Sequence, residues 1–160
     1  MPLVFTSIHT FLLLPLFTVV YIMITINQYL FVYGTLLEQG NTYAQYLQQH
    51  CTLIGGGKFG GILYDVGHYP GATIDAITGR YVYGSIYLMD DAEKILPVID
   101  EYEGIGAQEA KPHEYTRQLI EIDTEQGPVV CWVYIYNWPT DNLPEVPGGD
   151  YIRYIGPKKQ

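Results

Sequence analysis

Between residues 29 and 137 the hydrophobic pattern switches repeatedly between a two-residue period and one of about 3.6 residues, the signatures of strands and helices. "YLFVYGTL" (29–36) is rich in aromatic and β-branched residues and predicts a strand that ends at a glycine turn. "NTYAQYLQQHC" (41–51) predicts a short helix capped by Asn41. "LIGGGKFGGILYDVGHYPG" (53–71) is strand-like, and its glycines imply bulges, tight bends or close backbone approach. "RYVYGSIYLM" (80–89) alternates, with Tyr81, Tyr83, Ser85 and Tyr87 on one side and Val82, Gly84, Ile86 and Leu88 on the other. "DDAEKILPVIDEYEG" (90–104) predicts a helix with Asp90 and Glu93 as a capping box. Pro97 predicts either a kink or a later start. "EYTRQLIEID" (114–123) and "GPVVCWVYIYN" (127–137) predict a hairpin. The proline- and glycine-rich stretch after Trp138 predicts ordered loop. Strands dominate and two helices interrupt them. The fold class expected is therefore α+β (mixed α/β), a small closed or strongly curved β-barrel with flanking helices.

One residue breaks the pattern of the second helix. At about 100° per residue, Ile99, Tyr102 and Val98 lie within about 60° of Ile95. Glu103 lies at about 80°, inside this apolar arc, while Glu93, Lys94, Asp100 and Glu101 lie outside it. Glu103 is also in the last turn, because Gly104 is a natural stop. Burial and the negative end of the helix dipole both disfavour its ionisation, so its pKa is expected to rise. A carboxylate shifted in this way is a candidate proton acceptor near neutral pH. The plainer reading is that Glu103 leans to the rim and is solvated.

The first 37 residues hold no Asp, Glu, Lys or Arg, and "FLLLPLFTVVYIMITI" (11–26) is almost wholly apolar. A signal peptide would need a basic start and a small-residue cleavage site, and neither is clear. A membrane anchor usually carries flanking basic residues, and none is present. The third reading makes residues 1–26 an upstream extension and 27–160 the working domain, with the first strand following directly on "MITINQ". A cytoplasmic protein is expected on that reading, and a membrane partner or tether only if the 1–26 segment is real.

Composition narrows the function classes. A net charge of −9 with few basic residues argues against nucleic acid. The 16 tyrosines suit half-buried strand positions, and some suit a polar pocket. Cys51 and Cys131 form no C-x-x-C pair, and the four histidines show no metal-ligand spacing, so no metal is expected. "VYGTL" (32–36) can present consecutive backbone N–H groups in a concavity that binds a carboxylate or oxyanion, or it can be an ordinary turn. "DVGHYPGA" (65–72) is a loop over a pocket or a hairpin tip. Tyr115 and Arg117 share one strand face, where packing and a surface charge would account for them.

The order of these pieces is more specific than any one of them. A "YGTL" turn, a Gly-rich run ending "YPG", a "V-x-G-x-x-Y" strand, "IDEYEG" at a helix end and "Y-x-R" opening a strand resemble the γ-glutamyl cyclotransferase-like family over about residues 29–137. The resemblance implies a small mixed barrel with a cavity at its mouth. It implies an enzyme that cyclises a γ-glutamyl group to 5-oxoproline and releases an amine or amino acid, with no cofactor. The family's substrate loop falls on Tyr33, Gly34, Thr35 and Leu36, its catalytic glutamate on Glu103, and Tyr115 is a further candidate for substrate binding. The "YGTL" form and short loops lean toward the γ-glutamylamine cyclotransferase-type branch. The rival expectations are a cavity of the same fold that binds a small ligand without turning it over, and a membrane-tethered interaction protein.

Overall fold

The alternating segments become six strands of one sheet. In a computed structural model, which describes residues 25–156, they are β1 (Tyr29–Val32), β2 (Cys51–Asp65), β3 (Pro70–Ile74), β4 (Tyr81–Met89), β5 (Tyr115–Ile122) and β6 (Val129–Tyr136). Three helices accompany them, α1 (Thr42–His50), α2 (Ala92–Tyr102) and α3 (Tyr151–Ile155). The expectations placed on residues 1–26 lie, but for 25 and 26, outside the described residues. Among the described residues no helix is long and apolar enough to cross a membrane.

The strand order is β3-β2-β4-β1-β6-β5. Only β1 and β6 run parallel; the other neighbours are antiparallel. Lys58 and Asp123 exchange two backbone hydrogen bonds, 3.1 and 2.8 Å long, which brings β2 against the turn after β5. Three strands separate β2 from β5 in the sheet order, so that contact requires the sheet to curl. The fold is thus the expected mixed α+β one, a strongly curved half-barrel with few helices. Gly57 permits the closure, because a Cβ there would come within 2.5 Å of Ile122.

Alternation along the strands fills two cores. Phe31, Phe59, Val82, Ile86 and Val133 pack inside the curl. Leu30, Leu47, Ile95, Leu96 and Ile99 pack on the outer face, beneath α1 and α2. The period of β4 explains its mixed surface: Tyr81 and Tyr83 are exposed where no helix covers them, whereas Tyr87 and Met89, on the same outward side, join the second core.

Several boundaries differ from expectation for local reasons. The Gly-rich run is one long strand with a register shift between Leu53 and Gly55, then a turn into β3. The cap of α2 is Asp91 rather than Asp90, its carboxylate accepting from the Lys94 N–H at 3.3 Å. Asp90 is unavailable because its own N–H donates to the His50 carbonyl, closing the β2–β4 end. The helix runs through Pro97, which faces outward and is exposed. The tail is not all loop: a 3-10 turn at Pro147–Gly149 leads into α3, which Asp150 caps through the Arg153 N–H.

Candidate active site

The end of β1 opens into a cavity of about 600 Å³, within the usual range for a small-molecule site. Tyr33, Gly34, Thr35, Leu36, Glu103 and Tyr115 all line it. The Tyr33–Leu36 turn is thus brought together with Glu103 and Tyr115, which lie at least 67 positions further along the chain.

The turn after β1 is placed by two neighbours. Thr35 to Leu37 form a single 3-10 turn behind Gly34. Gly34 lies so close to Pro70, at the start of β3, that a Cβ would meet the proline ring at 2.7 Å. On the other side Tyr102 ties the turn to α2: its hydroxyl is hydrogen-bonded to Thr35 Oγ1 at 2.7 Å and accepts from Asn41 Nδ2 at 2.9 Å. Asn41 is at the same time the cap of α1, accepting from the Tyr43 and Ala44 N–H groups. The residue before Glu103 thus anchors the loop that faces Glu103.

Glu103 ends α2. Gly104, at φ 67°, takes the left-handed position past the cap. The Ile105 N–H returns to the Asp100 carbonyl at 2.8 Å, and the Gly104 N–H to that of Glu101 at 3.2 Å, the paired closure that a glycine stop allows. Glu103 follows Leu96 and Ile99 on one stripe and is half-buried. Burial raises its carboxyl pKa to about 8, with the charges of Glu114 and Asp100 adding to the effect.

Asp100, which the helical wheel places away from the core, is also half-buried, and it is fully engaged. Arg117 Nη1 donates to both of its oxygens at 3.0 and 3.1 Å, and the Tyr134 hydroxyl donates at 2.8 Å. The guanidinium lies 4.9 Å from the Trp132 ring centre. Arg117 is therefore not a simple surface charge. Tyr115 is buried and donates to the Pro70 carbonyl at 2.7 Å. Tyr33 donates to the Tyr134 carbonyl at 2.6 Å and accepts from the Ala72 N–H at 3.3 Å. Burial holds both hydroxyls well above the ordinary tyrosine range, so both remain protonated donors.

Other wall residues come from the 65–72 segment, one of whose two expected roles is a loop over a pocket, and from segments that carry no expected site residue. His68, Tyr69 and Pro70 come from the 65–72 loop, which now closes one side of the cavity. His113, Glu114 and Trp138 come from the segments flanking the β5–β6 hairpin. Tyr69 donates its hydroxyl to Glu114 at 2.8 Å, and burial with this carboxylate pushes the Tyr69 pKa up to about 12. Among the described residues, the wall carries Glu38, Glu103, Glu109 and Glu114 and neither Lys nor Arg.

A curled half-barrel with a carboxylate at its mouth defines a class that comparison with known proteins identifies. Residues 30–153 match the family described as gamma-glutamyl cyclotransferase, AIG2-like. The chain belongs to that family. It is 34% identical over 125 residues to the gamma-glutamylcyclotransferase family protein YtfP of Escherichia coli K12, an alignment that covers 77% of this chain and 95% of the relative. The solution structure of Escherichia coli ytfP superposes with a TM-score of 0.55 at 32% identity, covering 78% of this chain and 96% of that one. A mouse AIG2-like protein shares the fold at a TM-score of 0.60 and 24% identity, over 78% of this chain and 87% of that one.

Proposed function

We propose that the protein is a γ-glutamyl cyclotransferase of the γ-glutamylamine type, converting a γ-glutamyl amide to 5-oxoproline and a free amine. The observation that carries this reading is a half-buried Glu103 with a raised pKa, facing the Gly34–Leu36 turn across a small-molecule cavity. The substrate's α-ammonium has no lone pair until it loses a proton, and Glu103 takes that proton. The freed amine attacks the γ-carbonyl carbon of the same molecule, forming the ring C–N bond. The carbonyl oxygen becomes negative, and backbone N–H groups of Gly34, Thr35 and Leu36 stabilise it. The tetrahedral centre collapses as protonated Glu103 gives its proton to the leaving nitrogen and the amide C–N bond breaks; the freed Glu103 carboxylate then takes the second proton from the ring nitrogen, and the released amine carries that proton away as an ammonium. Proton and electron pairs balance with no co-reactant.

A carboxyl with a pKa of about 8 suits both halves of this exchange. Tyr115 and Tyr33 supply fixed hydroxyls on the wall, and holding the substrate folded accounts for several kcal/mol of rate. The test is 5-oxoproline release from a panel of γ-glutamyl amines and γ-glutamyl amino acids. The expected result is turnover of γ-glutamyl amines by the wild type and at most a residual rate by Glu103→Gln. Failure of every member of the panel, with the protein folded, would remove the assignment.

A further inference from the structure

The cavity contains a second carboxylate that the scheme above leaves unused. Glu114 stands one residue before β5 and lines the same cavity as Glu103. Its Oε1 accepts the Tyr69 hydroxyl at 2.8 Å, so the carboxylate is oriented from the loop ahead of β3. Among the described residues no Lys or Arg forms an ion pair with Glu114. Asp100 is different: Arg117 and Tyr134 already occupy it. Besides the tyrosines, the other titratable groups on the wall are Glu38, Glu109, His68 and His113, and the His113 Nε2–H donates to the Gly106 carbonyl at 3.1 Å. Two carboxylates with no cation between them therefore share the space where the reacting amine must sit.

Cyclisation imposes a demand that one base does not meet. An ammonium has three N–H bonds and no lone pair. Once Glu103 has removed one proton, the lone pair must point at the γ-carbonyl carbon, and it does so only if the remaining N–H bonds are held. A second acceptor near the base supplies that hold. We propose that Glu114, steadied by Tyr69, receives the substrate's α-ammonium and keeps the amine oriented after Glu103 takes its proton, so that the cavity selects γ-glutamyl groups whose α-amine is free. This inference rests on the cyclotransferase reading of the same site.

The electrostatics are consistent with this role. Glu114 is first among the charges that raise the Glu103 pKa. An ammonium placed between the two carboxylates reverses that effect, because a nearby positive charge favours the ionised form. Substrate arrival thus generates the base it needs. The acid limb of kcat, which reports the complex, is then expected at lower pH than the limb of kcat/KM, which reports the free enzyme.

The experiment compares wild type, Glu114→Gln and Tyr69→Phe on γ-glutamylmethylamide, with the amine-lacking analogue glutaric acid mono-N-methylamide as a competing ligand. Loss of a charge-assisted hydrogen bond is expected to raise KM about 10- to 100-fold in Glu114→Gln, with a smaller fall in kcat. Its kcat/KM limb moves to lower pH, and Tyr69→Phe changes KM in the same direction by less. Binding of the monoamide, measured by calorimetry, stays as in wild type. An unchanged KM, or equal weakening of both ligands, overturns the proposal. Should wild type bind γ-glutamylmethylamide without releasing 5-oxoproline, the cyclotransferase reading fails, while calorimetry of the two ligands still decides the ammonium contact. Absence of both binding and turnover in wild type overturns the two together. If Glu114→Gln does not fold, Tyr69→Phe carries the test, and equal KM values for it and wild type count against the proposal.

Discussion

The two sides of the last turn of α2 carry one carboxylate each, and their surroundings make them opposites. On the β5 side, Asp100 is bound by Arg117 and Tyr134, and the Arg117 guanidinium itself lies over the Trp132 ring. On the cavity side, three residues on, Glu103 meets buried apolar surface and the like charge of Glu114. One helix end thus provides a structural anion and, on the proposed function, a reactive one. Residue type does not separate them; the presence of a cation does. Asp100 fixes the end of the helix against the sheet, and that fixed end presents Glu103 to the turn after β1.

The largest expected effect breaks the comparison on the cavity side. Glu103→Gln keeps the size and shape of the side chain and removes the proton acceptor, so kcat for 5-oxoproline release is expected to fall about 10²- to 10⁴-fold or more. Circular dichroism should be unchanged. If Glu103→Gln keeps its rate while Asp100→Asn loses it, the two roles have been assigned the wrong way round.

The next effect is on stability and lies on the other side. The side chains of Arg117 and Asp100 are only 25% and 20% exposed, so this pair is not a solvated surface bridge. Arg117→Ala leaves Asp100 half-buried without its cation and is expected to cost about 1–3 kcal/mol in denaturant unfolding. Adding Asp100→Asn should recover part of that loss. An additive double mutant would show that the two side chains do not act as a pair.

A smaller change sharpens the link between the two sides. Gly104→Ala forces a side chain into the left-handed conformation at φ 67°, which costs about 1–2 kcal/mol. Since the same closure positions Glu103, kcat should fall as well. Loss of stability at full kcat would mean that Glu103 is held by its packing alone.

The smallest expected effect is a pH dependence. Glu103 binds its proton more tightly in the folded state, with a pKa of about 8 against an ordinary value of 4.5. The resulting preference for the folded form is complete below about pH 4.5 and is lost as pH rises through about 8. Glu103→Gln has no such dependence. Its stability relative to wild type should therefore improve as pH is raised across this window, and parallel melting curves would check it.

The legible and illegible parts of the molecule differ in range. Asn41 as a cap, the 115–136 hairpin and the inward placement of Glu103 before Gly104 follow from contacts within one or two turns of chain. The curl itself could be anticipated from strand content and glycines, and Gly57 against Ile122 is its physical basis. Glu114 gave no signal, because its partner Tyr69 is 45 positions away and neither residue stands out in its own segment. Asp100 was misplaced for the same reason: a helical wheel has no knowledge of Arg117 on a neighbouring strand. The five-residue α3 was hidden by the prolines and glycines before it, although Asp150 supplies its cap. The Asp90 capping box failed because a strand end had already taken the Asp90 N–H.

The role of Glu103 as a desolvated general base is best probed by the pH dependence of kcat/KM. The profile would be recorded with a γ-glutamyl amine for wild type and Glu103→Gln side by side. The expected profile is a wild-type rate that rises with pH to a limb near 8, and a Gln variant reduced to a residual rate with no such limb. A limb in the ordinary carboxylate range, or a Gln variant that keeps both the rate and the limb of wild type, would contradict it.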